Sequence, residues 1–109
     1  MAVTPVTLYS NPSLTVAKTE VVSALANTTR VIHKATFTNT SGSTQTIDLY
    51  IDPTGSSEVQ IADTKVLIDQ ETWSCPDIEG HVLTPSGTID VTPSAANVQL
   101  VISGRQITG

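Results

Sequence analysis

The stretch TRVIHKATFTNTSGSTQTIDLYI, residues 29–51, decides the expected fold because periodicity, turn chemistry and charge there all favour one structure. In its first half, alternate positions form an apolar side that comprises Val31, His33, Ala35 and Phe37. In its second half, Ile47, Leu49 and Ile51 alternate with Thr46, Asp48 and Tyr50. A period of two residues places successive side chains on opposite faces of a strand. Each half therefore predicts a β-strand with one buried face.

The segment between these two strands favours a hairpin. A three-residue loop, Thr40-Ser41-Gly42, places Gly42 at the left-handed position that such loops need. In this register the apolar pairs are Ala35 with Ile47, His33 with Leu49 and Val31 with Ile51. On the other face Lys34 lies opposite Asp48, which is a favourable cross-strand pair. The two strands are therefore predicted to be neighbours in one sheet.

Further short strands follow the same alternation along the chain. They are predicted at residues 3–10, 19–25, 58–62, 65–69, 88–92 and 98–103, with Gly104 interrupting the last. One more segment starts at residues 73–75, is broken by Pro76 and Gly80, and resumes at residues 81–83. Pro5 confines the first to a sheet edge or a strand start. The inward set of residues 19–25 is either Val21, Ser23 and Leu25 or Val22 and Ala24. The near-continuous apolar run at residues 66–68 predicts a strand covered on both faces.

The composition agrees with an all-β chain. It is rich in Thr, Val, Ser and Ile, and only 4% of its residues are aromatic. A length of 109 residues suits one domain with a single two-layer core. The sequence therefore predicts one domain, residues 1–109, folded as an antiparallel, jelly-roll-like β-sandwich of about eight short strands.

Charge and hydropathy exclude two classes of partner. The net charge of −5 comes from scattered carboxylates, and no basic cluster offers a footprint for phosphates. We therefore expect no nucleic-acid partner. The sequence has neither a basic, apolar leader nor a run near the ~20 apolar residues of a membrane span. A soluble protein that is not exported by a cleaved signal is expected, with no membrane partner.

Catalytic and metal-binding patterns are not found in the sequence. His33 and His81 lie about fifty residues apart without nearby residues to complete a ligand set, so a structural or surface role is expected. The carboxylates form no tight pair or calcium loop, and no G-x-S-x-G elbow is present. The lone Cys75 is expected to be a small, buried hydrophobe. We therefore expect no enzyme activity, cofactor or metal.

Four residues are candidates for a protein interface. His33 would lie on an apolar strand face and could line a subunit contact, while Leu67 and Val101 are expected to point outward. Trp73 has two interpretations. With Tyr9 and Tyr50 it could form an aromatic platform for a sugar ring, or it could plug one end of the sandwich core. The candidate interface is therefore His33, Leu67, Trp73 and Val101.

Four segments from about residue 19 onward carry a recurring pattern. They are ANTTRVIHKATFTNTSGSTQTIDLYI, KVLIDQETWSCPDIEGHVL, TPSGTIDV and NVQLVISGRQI. In order they give a strand with a TNTSG hairpin, an apolar strand with a turn and an aromatic residue, a Gly-bounded strand and a closing ISG. In this pattern the chain resembles the small β-sandwich virion proteins of tailed bacteriophages.

The resemblance implies a structural role. Such proteins are present in many copies, often as trimers on the capsid exterior, where they decorate the shell and cement the major capsid protein. It therefore implies a decoration protein, made in the host cytoplasm, whose partners are the major capsid protein and copies of itself. A neck, tail or fibre component and a carbohydrate-binding module are the alternatives.

Overall fold

Alternation between buried and exposed side chains is realised in two antiparallel sheets. The computed structural model describes residues 2–94 and 96–108. These residues form nine strands and one 3₁₀ helix, Pro76–Ile78. The strands are β1 (Ala2–Leu14), β2 (Thr19–Ser23), β3 (Thr28–Asn39), β4 (Gln45–Asp52), β5 (Val59–Leu67), β6 (Thr72–Ser74), β7 (Val82–Leu83), β8 (Thr88–Pro93) and β9 (Val98–Thr108). The predicted all-β class is confirmed.

The strand order is that of a jelly roll. Sheet A runs β1-β9-β3-β6, with β7 also paired to β3, and sheet B runs β2-β8-β4-β5. Strand partners nest about the β4–β5 turn: β4 pairs with β5, β3 with β6 and β7, β2 with β8, and β1 with β9. Such nesting makes most connections cross from one sheet to the other. Because β6 and β7 share one position beside β3, the described strands occupy eight positions, as expected.

One hydrophobic core lies between the two sheets. Sheet A contributes fully buried side chains that include Ile32, Phe37, Leu100 and Ile102. Sheet B contributes Ile47, Leu49, Ile51, Ile89 and Val91. Ile78, on the 3₁₀ helix between β6 and β7, and Cys75 are also fully buried. The expectation for Cys75 is confirmed, and each large side chain removed from water contributes about 1.5–3 kcal/mol.

The predicted hairpin is wrong, although both of its strands exist. β3 lies in sheet A and β4 lies in sheet B, so their apolar faces meet across the core instead of side by side. Lys34 and Asp48 are consequently on opposite outer faces and do not pair. Alternation shows which face of a strand is buried, but it does not show whether the next strand is a neighbour or lies opposite. Both arrangements satisfy the same pattern.

A β-bulge in β3 overturns part of the predicted inward set. The pairing of β3 with β9 shifts between Ile32 and Lys34, which leaves His33 as an extra residue. Ala35 and Phe37 face the core as expected, but beyond the bulge Ile32 is buried and Val31 points outward. His33 is exposed. The extra residue reverses the faces because the side-chain period of a strand is two.

The segment after β3 is an arch between the sheets, and the buried side chain of Asn39 organises it. Asn39 Nδ2 donates to the carbonyl oxygens of Ser43 (2.7 Å), Leu67 (3.0 Å) and Ile68 (3.2 Å). Asn39 Oδ1 accepts from the backbone N–H (3.0 Å) and the hydroxyl (2.7 Å) of Ser41. One amide therefore joins the end of β3, the arch and the end of β5. Gly42, with φ of +88°, has the left-handed conformation expected of it.

Several strand limits differ from the predictions. β1 continues past Pro12 to Leu14, and β9 continues through Gly104. Residues 58–62 and 65–69 belong mainly to one strand, β5, whose pairing with β4 shifts around Thr64, where φ is +53°. The expectation that both faces of residues 66–68 are covered is wrong within the chain, since Val66 is 51% exposed. Of the two inward sets left open for residues 19–25, neither is fully right, because a bulge in β2 buries both Val21 and Val22.

Replacement of Asn39 tests the arch. We expect Asn39→Ala to lower the free energy of unfolding by about 3 kcal/mol, because buried carbonyl groups lose their donor. Asn39→Asp should cost more, since it places a carboxylate beside the same carbonyl oxygens. Urea unfolding measures both values. Gln99→Ala, an exposed position on β9, is the matched control and should change stability by less than about 0.5 kcal/mol.

A second stability test compares two glycines. A Cβ at Gly104 would lie 2.1 Å from the backbone oxygen of Val31 and 2.9 Å from Leu8 Cδ1, so the sheet would have to shift. A Cβ at Gly42 would meet nothing within 4 Å. We expect Gly104→Ala to destabilise by at least about 2–3 kcal/mol and Gly42→Ala by about 1 kcal/mol, from backbone conformation alone. Equal effects in thermal unfolding would contradict this packing of β3 against β9.

Candidate functional surfaces

The described chain does not concentrate reactive side chains at one point. Within residues 2–94 and 96–108, no group of three or more His, Cys, Asp or Glu residues is placed to hold a metal ion. His33 and His81 are both exposed, and the backbone oxygen of His81 accepts a hydrogen bond from Ile32 N (2.9 Å). The surfaces of the two sheets are therefore the candidate sites.

No helix among the described residues is long and apolar enough to cross a membrane.

The four predicted interface residues occupy different environments. His33 and Val101 are exposed on the outer side of sheet A, and Val101 is 46% exposed. The expectation that Leu67 points outward is wrong, because its side chain is fully buried in the core at the end of β5. Leu67 pairs with buried Gln45 and faces inward, while Val66 and Ile68, on the side expected to face inward, are exposed. Only His33 and Val101 of the four share one outer surface.

Trp73 closes one side of the sandwich. It pairs with Phe37 across β6 and β3, and the two rings stack with centroids 5.5 Å apart. Lys65, on the edge strand of sheet B, places its Nζ 5.2 Å from the Trp73 ring. These contacts favour the core-plug interpretation of Trp73, with a cation–π contact across the gap between the sheets.

The three aromatic residues proposed for a sugar platform are separated. Tyr9 packs against the core from β1, at the opposite edge of sheet A from Trp73, and its hydroxyl accepts from Asn11 Nδ2 (2.9 Å). Tyr50 lies on the outer side of sheet B, where Lys18 Nζ is 4.3 Å from its ring centre. A shared aromatic platform is therefore not assembled from these rings.

The outer surface of sheet A, called face A, is built from five rows of laterally paired residues. From one end of the sheet they are Val3, Ile107 and Thr29; Pro5, Arg105, Val31 and Val82; Thr7, Ser103 and Lys34; Ser10, Val101, Thr36 and Ser74; and Gln99, Thr38 and Thr72. The rows between them face the other side of the sheet, so the side chains of face A point away from the core.

Short side chains and positive charge characterise face A. Hydroxyl groups pair across β3 and β6, with Thr36 Oγ1 3.3 Å from Ser74 Oγ and Thr38 Oγ1 3.1 Å from Thr72 Oγ1. Lys34 and Arg105 carry the charge, and none of the residues in these described rows is a carboxylate. Face A is thus a hydroxyl-rich, partly apolar surface with two cations.

The outer surface of sheet B, called face B, has the opposite charge. Its outward residues on β2, β4 and β8 include Glu20, Asp48, Asp52 and Asp90, with Thr46, Thr88 and Thr92 between them. Glu58, from the segment before β5, joins them through Lys18. Across the described part of the chain, the carboxylates are thus abundant on one broad face and missing from the other.

Lys18 joins two carboxylates on face B. Its Nζ lies 2.7 Å from Glu58 Oε1 and 4.0 Å from Asp90 Oδ2. The hydrogen bond to Glu58 raises the pKa of Lys18 and lowers the pKa of Glu58. Partial burial, and then the hydrogen bond with Glu58, raise the pKa of Asp90. In this group Asp90 is therefore the carboxyl whose ionised form destabilises the folded protein.

Asp90→Asn should stabilise the protein at neutral pH. A carboxyl whose pKa is higher in the folded than in the unfolded chain destabilises the folded state as the pH rises above its pKa in the unfolded chain. The gain in the free energy of unfolding should be present at pH 7 and should disappear at pH 3, below the ordinary Asp value of 3.8. Urea titrations at the two pH values measure it.

Glu79→Gln is the control for this prediction. It removes one negative charge from an exposed position beyond the 3₁₀ helix, away from face B. If both substitutions raise stability equally at pH 7, the effect comes from net charge and not from the surroundings of Asp90.

The charge division between the faces was not predicted, because it depends on which strands are neighbours. Lys34 and Arg105 are far apart in sequence, as are Glu20, Asp48 and Asp90. Comparison with protein-family models, with curated proteins and with solved structures gives no match to this chain.

Proposed function

We propose that this protein is a non-enzymatic structural component of a virion. In this role it is a capsid decoration protein that binds the major capsid protein shell and neighbouring copies of itself on the capsid exterior. The proposal rests on the resemblance in sequence pattern and on the surface that the fold presents.

Face A is the observation that carries the proposal. Apolar side chains there are well exposed: Val3 is 53% and Val101 46% exposed, and Val82 is 42% exposed. Around them lie threonine and serine side chains, which are short and lose little rotamer freedom when covered. A broad surface of short and exposed apolar side chains suits contact with another protein.

The architecture supports the same role. Crossing connections tie the two sheets together, and the long strands β1, β3 and β9 lie side by side in sheet A. Such a unit keeps its outer faces fixed, so little conformational freedom is lost on binding. When many copies bind a symmetric shell, modest individual contacts combine into high avidity.

Copy number and particle stability test this function. Particles produced with and without the gene for this chain are compared by quantitative mass spectrometry and by thermal disruption of the shell. We expect a copy number in proportion to the major capsid protein, and a lower disruption temperature for particles that lack the chain. A few copies at one vertex would indicate a neck, tail or fibre component instead. Unchanged stability would contradict cementing.

A substitution on face A makes the test specific. Val101→Arg introduces a long, charged side chain at an exposed position in the middle of this face. It should reduce the number of copies bound per particle by about tenfold or more, as disruption of an interface centre does. Thr15→Arg, at an exposed position between β1 and β2, is the control and should leave the copy number unchanged.

A further inference from the structure

We propose that face A of one copy binds face B of a second copy, front to back. The inference rests on the self-association that is part of the proposed function, and it names the surfaces that make the contact. Both surfaces are on the same chain, so the partner is defined by the structure itself.

Charge complementarity is the first argument. Lys34 and Arg105 are the cations of face A, and no carboxylate lies in its described rows. On face B, Glu20, Asp48, Asp52 and Asp90 point outward. Lys18 lies among them, paired with Glu58, and the carboxylates outnumber it, so face B is negative overall. Two copies of face A would repel each other, and so would two copies of face B. The A-to-B pairing is the combination in which opposite charges meet, and such complementarity fixes both partner and register.

The spacing of the charges agrees with this pairing. Lys34 pairs with Ser103, and Arg105 lies two residues further along β9, so the cations are diagonal neighbours. On face B, Asp48 pairs with Thr92, and Asp90 lies two residues away on β8, in the same diagonal relation. Diagonal neighbours in antiparallel strands are about 7–8 Å apart. Two cations can therefore face two carboxylates at matching separations. One of these carboxylates, Asp90, already has Lys18 Nζ 4.0 Å from its Oδ2.

Shape and area permit the contact. Threonines lie between many of the charged residues on both faces, and on face B the large side chain of Tyr50 lies among them with Lys18 over its ring. The strands of face B are only 5 to 9 residues long, so face B limits the contact. At about 4.8 Å between strands its area is on the order of 450 Å², against about 800 Å² on each partner of a standard interface. The contact therefore belongs to the smaller and weaker class, which agrees with association that grows with concentration.

The position of the two faces determines the kind of assembly. They lie on opposite sides of the sandwich, so a copy bound through face A still presents its own face B. The contact is heterologous, and stacking in line does not close into a ring. We therefore infer an open series of dimers, trimers and longer oligomers that grows with concentration, rather than a closed trimer.

Charge reversal on each face tests the contact. The purified full chain, Lys34→Glu/Arg105→Glu and Glu20→Lys/Thr92→Lys are compared by sedimentation equilibrium at low and high salt. The average mass of the unchanged chain should increase with concentration and fall in high salt. Each double variant alone should associate about tenfold or more weakly, because like charges then meet. Mixing the two variants should restore association, since each then offers a complementary face to the other.

The mixed sample is the decisive measurement, because restored association shows that both variants are folded. Thr15→Glu/Thr54→Glu, at exposed positions in two connecting segments, controls for added negative charge and should associate like the unchanged chain. A chain that stays monomeric at millimolar concentration would overturn the inference. A discrete trimer that forms equally well in both double variants would overturn the A-to-B contact but not self-association. Binding to particles is measured separately, so failure of the proposed function remains distinguishable.

Discussion

The side-chain amide of Asn39 is the constraint on which the layered arrangement depends. A jelly roll must carry its chain across the end of the core from one sheet to the other, and that crossing exposes carbonyl groups that no strand neighbour satisfies. Asn39 supplies donors to three of them and accepts twice from Ser41. Its backbone also pairs with the β5–β6 turn, through Glu71 O and Gln70 N. A hydrophobic side chain there could pack but could not satisfy these groups.

The crossing also determines what each sheet presents to solvent. Because β3 and β4 lie in different sheets, the basic residue Lys34 and the acidic residue Asp48 are placed on opposite sides of the molecule. In a hairpin they would have been neighbours and would have neutralised each other. The separation of charge between face A and face B is thus a consequence of topology. The chain has a net charge of −5, but face A does not repel a negatively charged surface.

Local features of the strands were the most difficult to anticipate. The bulge at His33 displaces the alternation in β3, so Val31 faces the side opposite to that expected. At the end of β5 the side with one apolar residue, Leu67, is buried, and the side with Val66 is exposed. Neither feature is marked by a glycine or a proline. A bulge is stabilised by the strand beside it and by segments that pack on it, here β9 and the region around the 3₁₀ helix. Those partners lie far away in sequence.

By itself the sequence determined the all-β class, the strands themselves, most of the inward set and the left-handed Gly42, because these follow from side-chain period and local backbone preference. Even the stretch 29–51 was correct as two amphipathic strands. Only the tertiary structure decided that those strands face each other across the core, that Trp73 closes the gap beside Lys65, and that like charges gather on one face. Such relations depend on which distant segments become neighbours, and alternation within a strand contains no information about that choice.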